Sequence, residues 1–95
     1  MRPSKNQSLI NALATEIKLR RRELGWSQED LAGSCQLDRP YISLIEVGRK
    51  RPTLSVLLRI AEGLQYPLTD FMGRVQQRYL LEKATASPKN SDTNS

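Results

Sequence analysis

The chain has 95 residues, enough for one small domain, and 15 Lys and Arg against 10 Asp and Glu leave it at +5, with a pI of about 9.8. That balance suits a polyanionic partner. With no histidine and one cysteine, His/Cys metal sites and an internal disulfide are excluded, and no cofactor is expected. No apolar run reaches the roughly eighteen residues of a membrane span or forms a signal-peptide core, so the expected location is the cytoplasm, with no membrane partner. A core of about seventy ordered residues is marginal alone, which makes help from a second copy plausible.

Residues 1–7, MRPSKNQ, are polar and aperiodic and are expected to form a disordered arm carrying Arg2 and Lys5. From Ser8 to Leu24 the pattern is helical: Ile10, Leu13, Ala14, Ile17 and Leu24 share a face, and Gly25 closes the run. Arg21 falls within that apolar face, where a cation needs a partner. Glu46 is the best candidate, and the pair is expected to be structural. Lys18, Arg20 and Arg22 read as a solvated face.

Residues 28–47, QEDLAGSCQLDRPYISLIEV, read as two short helices joined by a tight turn. Ser27 precedes the first as N-cap, with Asp30 at the capping-box position. Leu31, Ala32 and Cys35 supply its inward side. Asp38 is the second N-cap, Pro40 is tolerated in the first turn, Ile42 and Ile45 point inward, and Gly48 stops the helix. The outward side carries Pro40, Ser43, Leu44 and Val47, with Arg39 and Tyr41 on its flanks.

The run SQEDLA followed by LDRPYISLIEVGRKRPTL resembles the lambdoid repressor/Cro (XRE-like) type of helix-turn-helix regulator, from about Ile17 to Met72. Gln28, Ala32, Leu37, Ile42 and Ile45 fall at that family's diagnostic positions. Gln36 stands where the family usually has glycine, so a non-glycine residue is expected at φ > 0. The resemblance implies an all-α, compact five-helix repressor-like DNA-binding domain, and it agrees with the Arg21–Glu46 pair. It implies sequence-specific binding of double-stranded DNA, with helix 39–47 in the major groove. Arg39, Tyr41, Ser43 and Leu44 are then the candidate base readers, Arg39 foremost because a guanidinium engages guanine O6 and N7 together. Ser27 and Gln28 are candidate phosphate contacts at a helix N-terminus.

Arg49, Lys50 and Arg51 follow the second motif helix directly, where the chain faces the sugar-phosphate ridge, and are expected to contact phosphate. Thr53 caps a helix whose inward face reads Leu54, Leu57, Leu58, Ala61 and Leu64, with Val56 and Ile60 to one side, Arg59 in solvent and Gly63 near its end. After Tyr66-Pro67 a last helix carries Leu68, Phe71, Met72, Val75 and Tyr79. It runs to about Glu82, longer than one small core needs, which makes Met72, Val75 and Tyr79 candidate dimer contacts.

The domain is therefore expected over 8–82, with its fifth helix extended and 83–95 a disordered tail. No carboxylate pair or phosphate loop suggests catalysis, and Cys35 reads as packing rather than redox chemistry. A dimer implies two inverted half-sites about 34 Å apart on one DNA face. Repressor, autoregulator, restriction–modification controller and antitoxin all fit that profile. The rival reading is a protein-interaction module, prompted by the apolar Pro40, Leu44 and Val47 on the outward side.

Overall fold

The computed structural model describes residues 6–86; the expected basic arm with Arg2 and Lys5, and residues 87–95, lie outside the described residues. Five helices follow one another: α1 (Gln7–Glu23), α2 (Gln28–Cys35), α3 (Arg39–Glu46), α4 (Leu54–Gly63) and α5 (Leu68–Ala86). Among the described residues there is no strand. α1 therefore starts one residue before the expected Ser8, capped by the Asn6 side chain, which accepts from Leu9 N–H at 3.2 Å. α5 continues through residues 83–86, beyond the expected end at Glu82.

The local signals explain why these elements form. Ser27 and Asp30 complete a reciprocal capping box, Asp30 N–H to Ser27 Oγ at 3.0 Å and Ser27 N–H to Asp30 Oδ2 at 2.8 Å. Thr53 accepts from Val56 N–H at 3.2 Å. Asp38 takes the N-cap position of α3 but makes no side-chain cap bond. Pro40, at the second helical position, has no N–H to offer, which removes one of the two donors that an N-cap side chain can accept from.

α1 to α4 all end the same way, with one left-handed residue followed by a 6→1 bond. Trp26 N–H reaches Arg21 O, Leu37 reaches Ala32 O, Arg49 reaches Leu44 O and Tyr66 reaches Ala61 O, at 2.9–3.1 Å. The left-handed residues are Gly25, Gln36, Gly48 and Gln65. Gln36 has φ 60°, as expected from its place in the turn, and Arg59 steadies that turn by donating from Nη2 to Gln36 O at 2.6 Å. Gly63 is the last residue of α4, as its place near the end of the run implies, and the left-handed turn falls two residues later at Gln65. Gly63 is buried, and a Cβ there would lie 2.6 Å from Cys35 Sγ, so glycine is required for close approach of α4 to α2. Gly73 lies within α5 rather than at a helix end.

Ile17, Leu31, Ile42, Ile45, Ile60, Leu64, Phe71 and Val75 are fully buried and form one core to which every helix contributes. α1 and α5 pack along each other as a base, α3 sits against α1 and α2, and α2 sits against α4. The core face of α4 differs from the expected one. Ile60, Ala61 and Leu64 are buried and Val56 and Leu57 half-buried, while Leu54 is 75% and Leu58 40% exposed. Two apolar stripes overlap on this leucine-rich helix, and periodicity alone does not choose between them.

Val75 is likewise corrected as a dimer contact. At 1% exposure it is spent inside its own domain, and Met72 and Tyr79 are half-buried against the same core. Glu16 of α1 is buried and paired with Arg74 at 3.5 Å and with Arg78, which fastens α5 along α1. A buried carboxylate held by two guanidinium groups ties α5 to α1 alongside the apolar stripe.

Candidate nucleic-acid interface

The motif is anchored from beneath by a buried ion pair. Arg21 Nε donates to Glu46 Oε2 at 2.6 Å and Nη2 to Oε1 at 2.9 Å, while Nη1 reaches the Trp26 carbonyl at 2.8 Å. The bidentate geometry fixes the roll of α3 against α1. The hydrogen bond that Arg21 donates to Glu46 raises the Arg21 pKa against the opposing effect of burial, so the guanidinium stays charged. Both side chains are buried and the pair is internal, as its place in the apolar stripe implies.

That pair connects directly to the outward surface. Gln28 Nε2 donates to Glu46 Oε1 at 3.1 Å, and Gln28 Oε1 accepts from Arg39 Nη1 at 3.3 Å. Gln28 is therefore half-buried and engaged on both sides rather than free at the helix start. Its orientation is dictated, because only the amide nitrogen can donate to a carboxylate. Arg39 is exposed, with its guanidinium held by this relay at the leading end of α3. The Ser27 oxygen accepts its cap bond, which leaves the hydroxyl hydrogen to donate outward.

The remaining candidates follow the helix. Ser43 is half-buried, Leu44 is 42% exposed and Val47 61% exposed. Tyr41 packs partly on the core and carries Lys50 Nζ 5.6 Å above its ring. Arg49, Lys50 and Arg51 are all exposed and line a polar cleft with Gln7, Ile10 and Gly48. Arg39, Tyr41, Ser43 and Leu44 are thus on α3, with the start of α2, Ser27 and Gln28, brought to its leading end through the Gln28–Arg39 bond and three cations past its trailing end. Arg20 takes no part: its guanidinium stacks 4.3 Å from the Tyr66 ring and Nε donates to Leu64 O at 3.0 Å.

Cys35 is buried with a thiol pushed up to about 11 by burial, which suits packing and not thiolate chemistry. Among the described residues no three His, Cys, Asp or Glu side chains gather to hold a metal ion, and no helix is long and apolar enough to cross a membrane. Three roles had no local signal in the sequence. Gln7, Glu16 and Arg59 make their contacts with residues 41, 58 and 62, or 23 positions away, well beyond any helical period.

A short outward helix rigidly set on its partner helix, with cations beside it, defines a helix-turn-helix DNA-binding domain. The helix-turn-helix family model matches residues 17–71, and the chain belongs to that family, the XRE-type transcriptional regulators. It is 34% identical over 89 residues to a hypothetical transcription factor of Neisseria meningitidis serogroup B, covering 94% of this chain and 84% of that protein. It is 35% identical over 60 residues to the control protein C.MunI of a Mycoplasma species, covering 63% and 81%. Among solved structures it resembles the restriction-modification controller protein C.Esp1396I, as a tetramer on its natural 35 base-pair operator. The TM-score is 0.72 and the identity 36%, over 76% of this chain and 95% of that one. The protein is a DNA-binding transcriptional regulator.

Proposed function

We propose that the protein is a dimeric repressor or autoregulator that reads two inverted half-sites of double-stranded DNA in the cytoplasm, without catalysis. One observation carries the reading. Arg39 stands exposed at the start of α3, braced by Gln28, and Arg49, Lys50 and Arg51 stand exposed just past its end. In this arrangement Arg39 engages a guanine edge, and Tyr41, Ser43 and Leu44 contact neighbouring bases or methyl groups. Ser27 donates to phosphate at the leading end of the motif and Arg49–Arg51 neutralise phosphates at the trailing end. Gln28 acts mainly by orienting Arg39.

Operator complexes of C.Esp1396I support the double-stranded partner and the use of more than one copy. The second copy seats on an apolar groove of about 290 Å³ between α1, α4 and α5, which the buried Val75 also lines. Leu9 and Met72 line the groove, and exposed Leu54 and Leu58 flank its wall residue Leu57. Similarity to two controller proteins makes a restriction–modification controller the favoured member of the regulator class.

Selecting bound sequences from a random duplex pool, then titrating the best duplex at two salt concentrations, tests the reading. Steeply salt-dependent binding to an inverted repeat is expected. The exposed Leu44 and Val47 favour a second reading, a protein-docking or antitoxin module on the same scaffold. That reading gains if no duplex is enriched and binding shows no salt dependence.

A further inference from the structure

We propose that Gln7 is a positioning residue for DNA binding: its side-chain amide clasps the end of α3 and fixes the path of the Arg49–Arg51 segment. The proposal rests on the phosphate-binding role given above to that segment. Gln7 opens α1, yet Nε2 donates to the Gly48 carbonyl at 3.0 Å and to Asn11 Oδ1 at 2.9 Å. Both amide hydrogens are thereby used, and the Asn11 carbonyl oxygen holds the Gln7 amide in register.

Gly48 is where the chain leaves the recognition helix. It has φ +77°, and a Cβ there would lie 2.8 Å from Asn11 Oδ1, with Gln7 Nε2 the next nearest group at 3.4 Å. The first turn of α1 is thus closed tightly over this turn. The Gly48 carbonyl belongs to the same peptide plane as Arg49 N–H, which is itself bonded to Leu44 O at 2.9 Å. Clamped from both ends, that plane sets the direction in which Arg49, Lys50 and Arg51 depart. No acidic side chain lines the cleft that these three share with Gln7, Ile10 and Gly48, so its cations remain available to an anionic strand.

A preorganised loop loses less conformational freedom on binding than a loose one. Gln7 carries no charge, so losing it should lower affinity without changing the number of counterions released. The two effects separate positioning from direct ionic contact.

The test is a double-mutant cycle on the full chain, with the best duplex from the pool selection and an unrelated duplex as probes. Gln7→Ala is expected to weaken both about fivefold, the size of one net hydrogen bond, with an unchanged salt slope. In Arg49→Ala and Arg51→Ala backgrounds that effect should shrink to less than about twofold if Gln7 acts through those residues. Gly48→Ala should reproduce the Gln7→Ala loss while keeping the amide. Three results overturn the proposal: wild-type affinity in Gln7→Ala, the same fivefold loss in every background, or a melting temperature lowered by more than about 10 °C, which marks a loss across the whole domain. If instead the Arg49, Lys50 and Arg51 alanine variants all bind like wild type, the phosphate-binding reading itself has failed, and the proposal with it.

Discussion

Replacing Glu46 with alanine should cost this domain a large part of its stability. The substitution leaves Arg21 buried, still held by the Trp26 carbonyl through Nη1 but without a counter-ion for Nε and Nη2. A guanidinium cannot escape by deprotonation, so a full charge stays in a site where the side chain is only 10% exposed. Breaking a buried pair in this way costs about 3–5 kcal/mol. A small domain has about 5–15 kcal/mol in all. The loss corresponds to a melting temperature lower by at least about 12 °C.

Urea denaturation followed by circular dichroism gives the free energy directly. The companion variant makes the reasoning sharp. Arg21→Met with Glu46→Leu removes both charges and should recover at least half of the single-variant loss, because nothing ionic is left unpaired. The reasoning is refuted if Glu46→Ala stays within about 1 kcal/mol of wild type, the range of an ordinary substitution. A double variant less stable than either single refutes it too. Because Glu46 also holds Gln28, the double variant should lose DNA discrimination even where it regains stability.

Other outcomes follow from the same contacts. Arg39→Ala should relax preference at one base pair per half-site, measured by repeating the pool selection; uniform weakening without relaxation would remove its base-reading role. Each single alanine at Arg49, Lys50 or Arg51 should weaken all duplexes alike and lower the salt slope by about one unit. Cys35 has its pKa pushed up from 9.0 to about 11, so the folded state resists ionisation, and stability held below pH 9 should fall as pH rises towards 11. A thiol reagent at pH 8 should accordingly label the unfolded chain and spare the native one; rapid native labelling would contradict this. Gln36→Gly should stabilise the domain by up to about 1 kcal/mol by relieving the left-handed backbone at φ 60°, and a lower melting temperature would show that the Gln36 side chain contributes more than that strain.

The sequence by itself determined the helices, several of their caps and the identity of the motif. Ser27 with Asp30, Thr53, and the glycines at 25 and 48 are signals spaced within one helical turn, and each acts where it stands. Arg21 was legible too, because a cation in an apolar stripe admits few partners. Tertiary structure decided the rest. Leu54 and Leu58 against Ile60 is a choice between overlapping faces of one helix, settled by where α2 and α5 lie. Val75 on a stripe reads equally as core or contact until the packing of α5 along α1 is seen to bury it. Gln28 reads as a phosphate contact at a helix start, and Gln7 as part of a loose arm. Each becomes a brace because a residue 18 or 41 positions away comes within hydrogen-bonding distance. Local periodicity carries no record of such meetings; they arise only when the core closes and brings α1, α2 and α3 together.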